Sequence, residues 1–113
     1  MQRKFRLTRS EDFEQARRSG KSYAHRLVVL LVRKNETGQT RVGVAAGRTV
    51  GKAVQRNRAK RLLRAAVRGL LTSIAPGWDL VLIARAPLTA SSYAEVVEAV
   101  TGLVRRARLT PDS

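Results

Sequence analysis

Residues 51–68 read GKAVQRNRAKRLLRAAVR. Lys52, Arg56, Arg58, Lys60, Arg61, Arg64 and Arg68 fall within this stretch, and no acidic residue stands among them. At about 100° per residue, a helix here places Asn57, Lys60, Arg61, Arg64 and Arg68 on one face. Ala59, Leu62, Leu63, Ala66 and Leu70 fall opposite, and Arg56 and Arg58 flank the polar face. One side can anchor the helix and the other can meet a polyanion. A merely solvated helix mixes glutamate with lysine, because opposite charges four residues apart support a helix and like charges oppose it. An all-positive face accepts that repulsion, so the pattern points to an external source of negative charge.

The turn before it, Arg48-Thr49-Val50-Gly51, is not a phosphate-binding loop of the Walker type. Gly47 to Lys52 is one residue too short for that pattern, and Ala53 stands where Ser or Thr is needed. The helix should run over about 53–71 before the Pro76-Gly77 turn. Upstream, residues 27–33 form an apolar, largely β-branched run that reads as a buried strand. Residues 34–40, with Asn35 and Gly38, read as a hairpin loop, and 41–47 as the returning strand. Gly43, Ala45, Ala46 and Gly47 would leave one face of that strand shallow. Residues 21–24 allow a further short strand, and 79–85 (DLVLIAR) form a clear one that Pro87 ends.

A short helix is expected over about 9–18, with Thr8 and Glu11 as a capping box, Asp12 near its positive end and Gly20 as its stop. Ser92 and Glu95 offer another capping box, and Val96, Val97, Val100, Leu103 and Val104 give 92–108 helical periodicity. The element order is α, β, β, β, α, β, α. Residues 1–8 are expected to be extended and 109–113 frayed.

The chain has 113 residues, a length that suits one domain. Its formal net charge is +15, and 18 of its 23 basic residues are arginine. Charge on this scale speaks of partners: nucleic acid first, an anionic membrane surface second. Arginine suits bidentate phosphate contact and stacking on bases, although a GC-rich genome also enriches it. Without cysteine, disulfides and thiolate metal sites are excluded, and the single histidine excludes a multi-histidine site. No run of 18 apolar residues spans a membrane. The basic N-terminus lacks a signal peptide's apolar core, so a cytoplasmic protein is expected.

The carboxylates do not suggest catalysis. Glu11, Asp12 and Glu14 belong to the first helix's start, Glu36 to a loop and Asp112 to the chain end. Glu95 and Glu98 face water on the last helix, and Asp79 begins a strand. His25 reads as a surface or RNA-contacting residue rather than a general base. Phe13 has a core reading and a base-stacking reading, and periodicity favours the core. Trp78, beside Pro76-Gly77, reads as a strand-end packing residue. Charge alone does not choose between DNA and RNA.

Ala53-Val54-Gln55-Arg56-Asn57-Arg58-Ala59-Lys60-Arg61 is a specific motif, and with it the chain resembles the protein subunit of bacterial ribonuclease P. The likeness extends in order through Phe5-Arg6-Leu7, Glu11-Asp12-Phe13, His25-Arg26, Arg41-Val42-Gly43-Val44 and 79–85. The resemblance implies an α+β fold: a four-stranded mixed sheet packed with three helices, with a left-handed βαβ crossover. Physics alone would favour the right-handed crossover. It implies a single RNA-binding domain over 1–113, joined to a catalytic RNA, one protein per RNA. The ribonucleoprotein removes the 5′ leader of precursor tRNA with Mg2+ at the RNA's active site, and the protein supplies no catalytic residue. RNA contacts would fall to Arg48, Lys52, Arg56, Asn57, Arg58, Lys60, Arg61, Arg64 and Arg68. A leader cleft between the first helix and the sheet would use Phe13, which reverses the core-first reading, and Arg17. Family members often carry an aromatic where Arg17 stands, and a guanidinium can stack in its place. A ribosomal or other structural RNA-binding protein of similar topology is the alternative.

Overall fold

A computed structural model describes residues 10–109, with side chains from Phe13 onward. The expectations for Thr8, Glu11 and Asp12 as helix-start residues, for an extended 1–8 and for a frayed 110–113 lie outside the described residues or side chains.

The elements follow the expected order: α1 (Ser10–Ser19), β1 (Lys21–Ala24), β2 (Val28–Lys34), β3 (Arg41–Ala46), α2 (Ala53–Arg68), β4 (Trp78–Ala84) and α3 (Tyr93–Arg106). The strands form one sheet in the order β1-β2-β4-β3. β2 runs antiparallel to both β1 and β4, while β3 and β4 are parallel, joined through α2. The α+β architecture with a mixed four-stranded sheet is therefore as expected.

The period-two alternation of strands sorts the sheet into two unequal faces. Leu30, Val32, Leu80, Leu82 and Val42 face α2 and α3 and build the main core. α2 meets it with Ala59, Leu63, Ala66 and Val67, and α3 with Val96, Ala99, Val100, Leu103 and Val104. Both sets recur at three- and four-residue spacing, the signature of one helical face turned inward. Each fully buried Leu or Val contributes about 1.5–3 kcal/mol. The opposite face carries a smaller cluster, Ala16 of α1 with Leu31 and Val81, against which Phe13, Val29 and Ile83 pack half-buried.

Several boundaries shift by a residue or two from the sequence expectation, and three departures bear on the packing. α2 stops at Arg68 rather than 71, because the Leu70 N–H turns to Val67 O and the chain tightens through Gly69 into a 3-10 turn at Leu71–Ser73. Leu109, expected in a frayed tail, is buried. Its N–H bonds Val104 O and its carbonyl accepts from the Ala75 N–H. Of the small residues of β3, register puts Gly43 opposite Val81 and Ala45 opposite Ile83 on the α1 face. Ala46 lies on the other face, and Gly47 lies beyond the strand.

Gly20 seats α1 on the sheet. A Cβ there would collide with Ala16 O and lie 2.7 Å from Val32 O, so only glycine lets the helix end approach β2 this closely.

Candidate nucleic-acid interface

α2 is launched by a glycine and a glutamine. Gly51 holds φ at 140°, a conformation that favours glycine, and a Cβ there would stand 3.0 Å from Gln55 Cβ. Gln55 Oε1 accepts the Lys52 N–H at 2.9 Å, which satisfies one amide at the helix entrance. No side chain accepts from the first-turn amides, and no acid stands in that turn. The positive end of the helix dipole therefore adds to the positive side chains around it.

The cations are arrayed outward. Lys52, Asn57, Arg58, Arg61 and Arg68 are exposed, while Arg56, Lys60 and Arg64 are half-buried. Arg48 is exposed in the 3-10 turn Arg48–Val50 just before α2. The structure thus gathers all nine sequence-predicted residues on α2 and its entry turn. They differ in freedom. Arg58 Nη1 donates to Thr89 O at 3.0 Å and so ties the helix to the loop after β4. Arg56 Nε is buried without a hydrogen-bond partner, an unfavourable state for a polar atom. Arg61 and Arg68 carry neither hydrogen bond nor ion pair among the described residues. Val54 is 77% exposed at the same end, an apolar side chain amid the charges.

Phe13 and Arg17 occupy the other side of the sheet. Phe13 is half-buried against the Ala16–Leu31–Val81 cluster, and Arg17 is exposed one turn later on α1. Beside them Val29 and Ile83 are also only half-covered, and on β3 Ala45 is half-exposed on that face while Gly43 is buried. The result is a shallow strip flanked by one aromatic ring. Both readings of Phe13 have a basis here: it packs, and it is not sealed.

Sequence reasoning missed one group near this strip. Asp79 is buried at the sheet end, where Arg41 grips it through Nε (2.9 Å) and Nη2 (2.8 Å). Asn35 Nδ2 donates to it at 2.7 Å. The cluster clamps the β2–β3 loop to β4 and serves structure. His25 is also partly engaged, its Nδ1 accepting the Leu27 N–H at 3.0 Å. Among the described residues, no three His, Cys, Asp or Glu side chains converge to hold a metal, and no helix is long and apolar enough to cross a membrane.

A basic helix opposite a shallow, half-aromatic strip on a mixed sheet is an arrangement that can be compared with known proteins. The family model described as Ribonuclease P matches residues 1–108. The chain belongs to the ribonuclease P protein family. It is 37% identical over 112 residues to the ribonuclease P protein component of Herpetosiphon aurantiacus, covering 99% of this chain and 91% of the relative. Against the ribonuclease P protein component of an Exiguobacterium species the identity is 38% over 109 residues, covering 96% and 95%. The solved ribonuclease P protein of Staphylococcus aureus superposes with a TM-score of 0.86 at 25% identity, covering 94% of this chain and 97% of that one. That of Thermotoga maritima gives a TM-score of 0.80 at 33% identity, covering 89% and 96%. Membership assigns the chain to ribonuclease P as a protein component and disfavours the ribosomal alternative.

Proposed function

We propose that α2 docks this chain on the catalytic RNA of ribonuclease P while the α1 face of the sheet holds the 5′ leader of precursor tRNA. The observation that carries the reading is the face of α2: seven cations from Lys52 to Arg68, no acid, and an opposite side anchored in the core through Ala59, Leu63, Ala66 and Val67. Arg48, Lys52, Arg61 and Arg68 are placed to neutralise phosphates, and Asn57 can both donate and accept. On the other face, Phe13 offers a stacking surface for a leader base and Arg17 a second, guanidinium plane.

Bond cleavage is left to the RNA, with one protein per RNA, and the complex works in the cytoplasm. The Mg2+ that supports hydrolysis would be held by RNA phosphates; no step is routed through a metal on the protein. By neutralising phosphates where two RNAs meet, the protein lowers the repulsion between them and the demand for free cations. The test is reconstitution with a bacterial ribonuclease P RNA at low Mg2+. Adding the chain should raise leader cleavage of precursor tRNA, and no gain would overturn the proposal.

A further inference from the structure

A pocket of about 200 Å³ opens at the free edge strand β1, reached from the α3 face of the sheet and from the end of α1. Tyr23, Trp78 and Val32 line it, with Lys21, Arg33 and Lys34 around them, Ser19 at the end of α1 and Ala107 at the end of α3. Register explains the gathering. Lys21 pairs with Val32 and Lys34 with Trp78, so these side chains leave the sheet on its α3 face. Both aromatic residues pack against the main core yet stay half-exposed. Neither the α2 interface nor the strip beside α1 uses any of them.

Charge around the pocket has one sign. Lys21 and Lys34 are exposed, and the Arg106 guanidinium stands 5.9 Å from the centre of the Tyr23 ring. Arg105 and Arg108 are exposed on the same helix end. No carboxylate lines the pocket among the described residues, and Asp79, next to Trp78 in sequence, lies on the opposite face in the grip of Arg41. The volume is below the roughly 300–1,000 Å³ of sites that enclose a whole small molecule. It suits one planar ring whose charged remainder stays outside. Two ring surfaces with a cationic rim are the parts from which single-strand binding sites are built.

We propose that this pocket takes an unpaired base of a bound RNA, on a surface separate from both α2 and the leader strip. Tyr23 and Trp78 supply ring contact, and Lys21 and Lys34 neutralise the phosphates on either side. At the end of α3, Arg105, Arg106 and Arg108 extend the cationic rim for the flanking phosphates.

Trp78 is the only tryptophan of the chain, so its fluorescence reports on this pocket directly. The probe is a four-residue oligoadenylate titrated into the full chain, with inorganic phosphate as a parallel titrant. A saturable change in Trp78 emission is expected with the oligonucleotide and none with phosphate. In a Lys21→Ala/Lys34→Ala variant the midpoint should rise about tenfold or more. An Arg61→Ala/Arg68→Ala variant should keep the signal. Because all four substituted side chains are exposed, both variants should fold, which circular dichroism checks. The proposal is overturned by an absent signal, by one that phosphate alone reproduces, by one that ignores the lysine pair, or by one that disappears with the α2 pair. None of these outcomes bears on leader cleavage, so the site stands or falls apart from the proposed function.

Discussion

Asp79 is the residue on which the sheet's open end depends. It is fully buried, and both its oxygens are engaged, by Arg41 from β3 and Asn35 from the loop after β2. Removing the carboxylate takes from the Arg41 guanidinium, 26% exposed, the two acceptor oxygens it grips. Breaking a buried pair costs about 3–5 kcal/mol, and the partial exposure of Arg41 places Asp79→Ala near the lower end. Urea unfolding should show the midpoint falling with the slope unchanged. None of this was legible in the sequence, because the partners lie 38 and 44 residues away. Gly20 was read as a helix stop, whereas its larger role is steric, set by a strand carbonyl that local sequence does not reveal. Phe13 was ambiguous for a physical reason: a ring that half-packs on a sheet has the periodicity of a core residue and the exposure of a ligand-binding one.

At the scale of elements the sequence was far more legible. α2 and α3 carry apolar spacing strong enough to place each within a few residues, and the Ser92–Glu95 capping box forms as read. Ser92 Oγ accepts the Glu95 N–H at 3.2 Å, and Glu95 Oε1 accepts the Ser92 N–H at 2.9 Å. The hydrogen bonds from Ser92, backbone first, hold the Glu95 carboxyl below its usual value, helped by the charge of Arg26. A carboxylate depressed in the folded state stabilises it above the unfolded value of 4.5 and loses that contribution as pH falls through the folded value. Thermal unfolding should therefore separate the parent chain from Glu95→Gln most at neutral pH, with the gap closing as pH falls below 4.5 and through the lower folded value. α2 calls for a different measurement. Arg61 and Arg68 are exposed and make no internal hydrogen bond or ion pair among the described residues, unlike Arg58, so replacing both with alanine tests the interface without loosening the fold. Binding to ribonuclease P RNA should weaken, and the slope of log K against log salt should flatten by about 0.7–0.9 for each phosphate no longer neutralised. An unchanged slope would place the RNA elsewhere.

Taken whole, the molecule is a sheet with a different task on each side. The α2–α3 side holds the main core and turns its cations outward; on the α1 side Val29, Ile83 and Ala45 stay half-exposed, within reach of a thin strand. Among the described elements, the ten residues of α1 pack chiefly on β2 and β4, the two central strands. A chain so built can hold one RNA by its helix and another by its sheet at the same time. The two holds should then be separable by mutation. Phe13→Ala removes the aromatic wall of the strip and leaves α2 intact, so affinity for mature tRNA should stay near that of the parent complex. Affinity for precursor carrying a leader should fall by the worth of one stacked base, about 1–3 kcal/mol. Phe13 also packs on the Leu31–Val81 cluster, so its removal acts on the seating of α1 as well. Measuring both affinities in the assembled ribonucleoprotein, with unfolding of the free variant alongside, separates the cases. A selective weakening for precursor assigns Phe13 to the leader; equal weakening for both RNAs, with lower stability, assigns it to the core.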